Sequence, residues 1–139
     1  MFFIKKILDV PVSKIFLFEH KPISDFENDL AYASYDTYPV SDHHCLIIPK
    51  RHVKDYFDLS NEELIACNDL IKIVKEEIIS KDKNVKAFNI GTNIGKISGQ
   101  SIMHCHIHLI PRRVGDVENP QGGVRGVIPS KQHYIRKIK

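Results

Sequence analysis

Apolar and polar positions follow two periods along the chain. Near the N-terminus, Ile15-Phe16-Leu17-Phe18 is a short unbroken apolar run and reads as a buried strand, while Ser24-Asp25 beyond it reads as a turn. From Asp29 to Tyr35, Leu30, Tyr32 and, less clearly, Ser34 alternate with Ala31, Ala33 and Tyr35, the period-2 pattern of a strand. Asp36-Thr37-Tyr38-Pro39 breaks that pattern with turn chemistry. A second β-branched run, His44 to Ile48, follows and ends at Pro49. Two strands joined by a loop of about eight residues predict an antiparallel pair. The period then lengthens. Ser60 and Glu63 form an S-x-x-E capping box, and Leu64, Cys67, Ile71, Val74 and Ile78 recur every three or four residues. Asn61, Glu62, Lys72, Lys75 and Glu76 form the opposite, solvated face of that helix, so its apolar stripe is expected to pack on a sheet.

Lys83-Asn84 turns the chain into a further strand, Val85–Ile90, and Gly91-Thr92-Asn93-Ile94-Gly95-Lys96 reads as a tight loop. Period 2 then returns from roughly Ile102 to Ile110. Successive strand side chains alternate faces, so His104, His106 and His108 would share one face and Cys105, Ile107 and Leu109 the other. As a helix the histidines would scatter. Residues 114–139 are Gly-, Pro- and polar-rich, an arm with one possible short strand, Val124 to Ile128. No repeat or linker divides the chain. These elements predict one α+β domain over residues 1–139: an antiparallel sheet of about five strands, one main helix and a short one.

Composition narrows the function without naming it. With 139 residues, 42% hydrophobic and 27% charged, the chain can bury a single core. A formal charge of +3 suits a small anionic ligand and is too weak and dispersed for nucleic acid. Cys45, Cys67 and Cys105 are odd in number, far apart and set among apolar residues, which predicts buried free thiols in a reducing compartment. No apolar run reaches the ~18 residues of a membrane span. Met1-Phe2-Phe3-Ile4-Lys5-Lys6 places apolar residues before charges, the reverse of a signal peptide, so a cytoplasmic protein is expected.

The three alternating imidazoles admit four readings: surface histidines without function, a metal site, an anion-binding site, or covalent phosphorus chemistry. Pro111-Arg112-Arg113 puts two cations beside any would-be metal, and no second cluster has ligand spacing. In the covalent reading a neutral imidazole attacks phosphorus and water later opens the phosphoramidate. Its second ring nitrogen must be held by an acceptor. His106, central in the trio, is placed for attack, and neighbouring imidazolium groups and loop N–H donors could stabilise the developing charge. Asn93-Ile94-Gly95 and Gly99-Gln100-Ser101, just upstream, supply glycines for close backbone approach to an anion and polar side chains to bind it.

The run Gly99-Gln100-Ser101-Ile102-Met103-His104-Cys105-His106-Ile107-His108-Leu109-Ile110-Pro111-Arg112 resembles the signature of the histidine triad (HIT) superfamily of nucleotide hydrolases and transferases. Asp36-Thr37-Tyr38-Pro39-Val40-Ser41 through His44-Cys45-Leu46-Ile47-Ile48-Pro49-Lys50-Arg51-His52 resembles the family's other marked segment, and Gly115-Asp116-Val117 to Gly122-Gly123-Val124-Arg125 a branch common in bacteria. The likeness runs from about Glu27 to Tyr134; residues 1–26 match poorly. It implies a homodimer with a sheet continuous across the interface and a purine, AMP-like nucleotide substrate. By position it implies His106 as the nucleophile at the α-phosphorus, with His104, His108 and His44 assisting. It implies that Asn93, Gln100 and Ser101 contact phosphate or leaving group, and that Asp36 binds ribose hydroxyls. The substrate would be a phosphoramidate or a dinucleoside polyphosphate; a nucleotide-binding regulator with little turnover is the alternative.

Three departures qualify the resemblance. Where many relatives have glycine this chain has His43, expected to face solvent. The N-terminal C-x-x-C with which bacterial relatives bind zinc is missing from Phe2-Phe3-Ile4, so neither a structural zinc nor any required cofactor is expected. At position 108 the nucleotidyltransferase branch carries glutamine, and the histidine here favours water as acceptor.

Overall fold

Alternating apolar residues and one capped amphipathic segment assemble into a single antiparallel sheet with a helix against one face. The computed structural model describes residues 22–137. The strands are β1 (Pro22–Glu27), β2 (Ala31–Tyr35), β3 (Cys45–Pro49), β4 (Val85–Gly91) and β5 (Ile107–Arg113), and they lie in the order β1-β2-β3-β5-β4. β5 is therefore inserted between β3 and β4, in the middle of the molecule. The expected β2–β3 pair is antiparallel, in register from Ala31↔Pro49 to Tyr35↔Cys45.

The helix α1 (Asn61–Lys81) begins at the expected capping box. Ser60 Oγ accepts from the Glu63 N–H at 3.1 Å, and Glu63 Oε1 accepts from the Ser60 N–H at 2.8 Å. Arg51 closes the arrangement by donating from Nε and Nη2 to the two Glu63 oxygens at 3.0 and 2.7 Å. Cys67, Leu70, Val74 and Ile78 line the inner face and meet Ala31, Ala33, Cys45, Ile47, Val85, Ile107 and Leu109 of the sheet. Full burial of such side chains contributes roughly 1.5–3 kcal/mol each for the larger ones. Leu70 joins Cys67, Val74 and Ile78 on the buried face, and Ile71 and Leu64, which fall to one side of that face, are only partly buried.

Three further expectations change. Ser24-Asp25 is not a turn but lies inside β1, an edge strand whose register with β2 shifts between Pro22 and Glu27, and edge pairing uses backbone whatever the side chain. The histidine strand starts at Ile107, not Ile102. Ahead of it the chain is drawn away from the neighbouring strand, and the Cys105 N–H donates to Val53 O at 2.8 Å. Val124 to Ile128 falls in a 3-10 turn, Gly123–Val127, entered through Gly122 and Gly123, both with positive φ, which no strand tolerates. The strand expected at Ile15–Phe18 lies outside the described residues. Among the described residues no helix is long and apolar enough to cross a membrane.

Candidate active site

With Ile107 and Leu109 in the helix-side core and Cys105 buried beside Val53 and Leu59, residues 106 and 108 come to the opposite face, whereas His104, expected beside them, is buried with its ring on Pro49 O. Across that face His108 is in register with Leu46 on one side and Gly91 on the other. Gly91 has no atoms within 4 Å of where a side chain would project, so the space beside His108 stays open.

Fixed backbone groups settle the tautomers of four rings. His106 Nδ1 lies 2.9 Å from His104 O; a carbonyl only accepts, so Nδ1 carries the proton and Nε2 presents a lone pair. His104 Nε2 lies 2.9 Å from Pro49 O and must donate, which leaves its Nδ1 to accept from His52 Nδ1 at 2.8 Å. His44 Nδ1 accepts from the Val40 N–H at 3.1 Å, so its proton sits on Nε2, 2.9 Å from His108 Nδ1. His108 is thereby left with its own proton on Nε2. The result is an acceptor, His106 Nε2, beside a donor, His108 Nε2–H, on rings whose centroids are 5.3 Å apart.

Burial pushes His108 down to about 4, helped by His106 and His44 and opposed by Asp36. His44 is also lowered, again first by burial and against Asp36. Both rings are therefore neutral at pH 7. The imidazolium groups expected around His106 are neutral N–H donors. Asp36 follows β2 directly, its Oδ1 accepting from the Tyr38 N–H at 2.8 Å and its Oδ2 lying 3.4 Å from His44 Nε2 and 3.9 Å from His108 Nδ1.

Asp36, His44 and His108 together offer three ligand atoms within 4.8 Å of one another, enough for a divalent ion by spacing. Chemistry argues against it. A metal needs the Nε2 lone pair of His44, which would require a proton on Nδ1, where the Val40 N–H already points.

The loop before the triad turns at Gly95 (φ 89°) and Gly99 (φ 99°), conformations that favour glycine. Gln100 is buried and its amide is committed: Oε1 accepts from the Gly95 N–H at 2.9 Å, and Nε2 donates to Lys54 O and Ile102 O at 2.7 and 3.1 Å. Asn93 is half-buried in the same loop and Ser101 is exposed. The two arginines after the triad are spent within the protein. Arg112 pairs bidentately with Asp116 and reaches Asn89 Oδ1, while Arg113 binds Asp82 and Asp42 O. A cavity of about 520 Å³ further along the face is lined by Val40, Ser41, Ile110, Arg112 and Val124 among others, not by the triad.

The structure thus brings His44, His106, His108 and Asp36 together and joins His104 to them through its carbonyl. Sequence reasoning assigned no role to His52, which orients His104, or to the Val40 N–H, which sets His44. His52 stands in the Pro49–His52 run, but nothing in that run shows which ring it meets. His43 does not face solvent freely. It sits at φ 71°, the left-handed region where glycine is at ease, with Nε2 4.0 Å from Asp82 Oδ2.

An antiparallel sheet with one imidazole pinned through Nδ1 just ahead of a central strand and a neutral imidazole donor two residues on is the arrangement of a histidine-triad protein. The HIT domain family matches residues 23–115, and the chain belongs to that family. It is 32% identical over 93 residues to a HIT-like protein of Methanocaldococcus jannaschii, covering 67% of this chain and 70% of that one. It is 32% identical over 108 residues to adenylylsulfatase HINT3 of Arabidopsis thaliana, covering 78% of this chain and 54% of the relative. Among solved structures, a histidine triad nucleotide-binding protein from Sulfolobus tokodaii superposes with a TM-score of 0.65 at 30% identity, over 86% of this chain and 73% of that one. A zinc-bound histidine triad family protein from Mycobacterium smegmatis superposes with a TM-score of 0.64 at 26% identity, over 83% and 76% of the two chains.

Proposed function

We propose that the protein is a nucleotide hydrolase that releases a purine nucleoside monophosphate from a phosphoramidate or a dinucleoside polyphosphate through a nucleotidyl-His106 intermediate. The observation that carries the reading is the His106 Nδ1–H bond to His104 O, which commits one nitrogen to the backbone and aims the other lone pair outward. In the first step His106 Nε2 bonds to the α-phosphorus as the bond to the leaving group breaks. His108 Nε2–H hydrogen-bonds the departing group, which leaves as the polyphosphate anion or, from a phosphoramidate protonated on nitrogen, as the free amine, and His44 Nε2–H, 2.9 Å from His108 Nδ1, keeps that donor oriented. In the second step water attacks phosphorus, the N–P bond breaks to return His106 with its Nε2 lone pair, and the proton lost by the water passes to solvent.

Asn93 and Ser101 bind the non-bridging oxygens, and Gln100 serves by holding their loop through Gly95. Asp36 accepts from the ribose hydroxyls, for which a carboxylate has free lone pairs. The His44 tautomer supports catalysis without a metal at the triad. The exposed edge of β4, with Lys86, Ala87, Ile90 and Gly91 at the surface, suits pairing with a second copy in a homodimer. The reducing setting expected for the three buried thiols fits the cytoplasm.

Steady-state assays with an adenosine phosphoramidate and with diadenosine polyphosphates test the reading. His106→Asn is expected to abolish turnover by several orders of magnitude and to leave AMP binding intact. Turnover unchanged in that variant would refute the mechanism. AMP binding by the native protein without turnover on either substrate class would favour a nucleotide-binding regulator instead.

A further inference from the structure

His106 stands in an exposed mechanical position. β5 begins at Ile107, and the last backbone pairs on its two sides are Ile47↔Ile107 toward β3 and Gly91↔His108 toward β4. The nucleophile therefore lies one residue beyond the ladder toward β3 and two beyond it toward β4. Its ring is tied to His104 O, and on the β3 side the stretch is held by the Cys105 N–H to Val53 O and by His104 Nε2 to Pro49 O. A tie on the β4 side completes the hold on that backbone.

Thr92 supplies one. It is the first residue after β4, and its Oγ1–H donates to His106 O at 2.7 Å. The bond bridges 14 positions of sequence and is partly buried. It takes the place of the next rung that β4 and β5 would make if both strands continued. Thr92 is also the immediate neighbour of Asn93, so one residue links the anion-binding loop to the nucleophile's main chain.

We infer that Thr92 is a positioning residue for His106, its hydroxyl fixing the carbonyl and hence the direction of the Nε2 lone pair. The inference rests on the reading of His106 as nucleophile. Thr92→Val keeps the shape and removes the donor, Thr92→Ser keeps the donor, and Thr92→Ala removes both. Turnover of an adenosine phosphoramidate is measured for each, beside His106→Asn.

The expected result is a fall in kcat of about 10-fold or more for Thr92→Val and Thr92→Ala, since small misplacements of a reacting group are costly. KM should stay within about 2-fold, and Thr92→Ser should recover most of kcat. If Thr92→Val does not fold, the Ala–Ser pair decides the matter alone. Unchanged kcat in the hydroxyl-free variants, a change confined to KM, or a serine variant as impaired as alanine would each overturn the role of Thr92. Loss of activity in His106→Asn alongside normal Thr92 variants would refute only this inference. An active His106→Asn would refute the nucleophile itself.

Discussion

His108 titrates near 6.5 in an unfolded chain and at about 4 in the folded protein. Between those two values the unfolded chain binds more protons than the native state, so stability rises with pH through this window and is lost as pH falls. A depression from 6.5 to about 4 corresponds to about 3 kcal/mol at full strength. The side chain keeps 23% of its surface in water, which lowers the usable figure to roughly 2 kcal/mol. His108→Gln removes the titration and leaves the His44 Nε2–H an oxygen to donate to. Urea unfolding of both proteins at pH 7 and pH 4.5 isolates the effect, because carboxylates and His44 remain in each. The native protein should lose roughly 2 kcal/mol more than the variant between the two pH values. Equal losses would refute the claim that burial holds His108 neutral, and with it the assignment of His108 as a neutral donor.

Two other substitutions probe the scaffold. His43→Gly relieves a left-handed residue at φ 71° and gives up a 4.0 Å contact to Asp82 and a tilted ring contact with Tyr35, so thermal unfolding should show a rise of about 1–2 °C; a fall would mean the imidazole contacts outweigh the backbone strain. Glu63→Ala deletes the helix cap's acceptor for the Ser60 N–H and both bonds from Arg51, and should lower stability in urea by about 2–3 kcal/mol, whereas a loss under 1 kcal/mol would show that the capping box carries little.

Where periodicity and burial coincide, the fold was legible. The capping box at Ser60 and Glu63 starts α1 where expected, and the β2–β3 pairing follows from two alternating runs around a short loop. The alternation of residues 105, 107 and 109 also placed the odd side chains in the core. Alternation alone cannot tell paired from unpaired extended chain, which is why the strand was expected five residues too early. Ahead of Ile107 the chain bonds to Val53 O through the Cys105 N–H and to Pro49 O through His104, long-range partners with no local signature. The same limit applies at the site. Three histidines in a row announced chemistry, but their protonation follows from carbonyls and an N–H at Pro49, His104 and Val40, which any residue could supply. Gln100 reads from its type as a ligand contact; only the fold shows its amide spent on Gly95, Lys54 and Ile102.

Arg112 and Arg113 are each neutralised by a carboxylate, Asp116 and Asp82, and the rings of His44 and His108 are uncharged. An anion arriving at His106 thus meets oriented dipoles where cations would be expected. Dipoles fall off faster with distance than charges and are hardly screened by salt. Under the proposed function such a site discriminates less by total charge, since dipoles act only at short range, and more by where the ligand's oxygens lie against the fixed N–H groups.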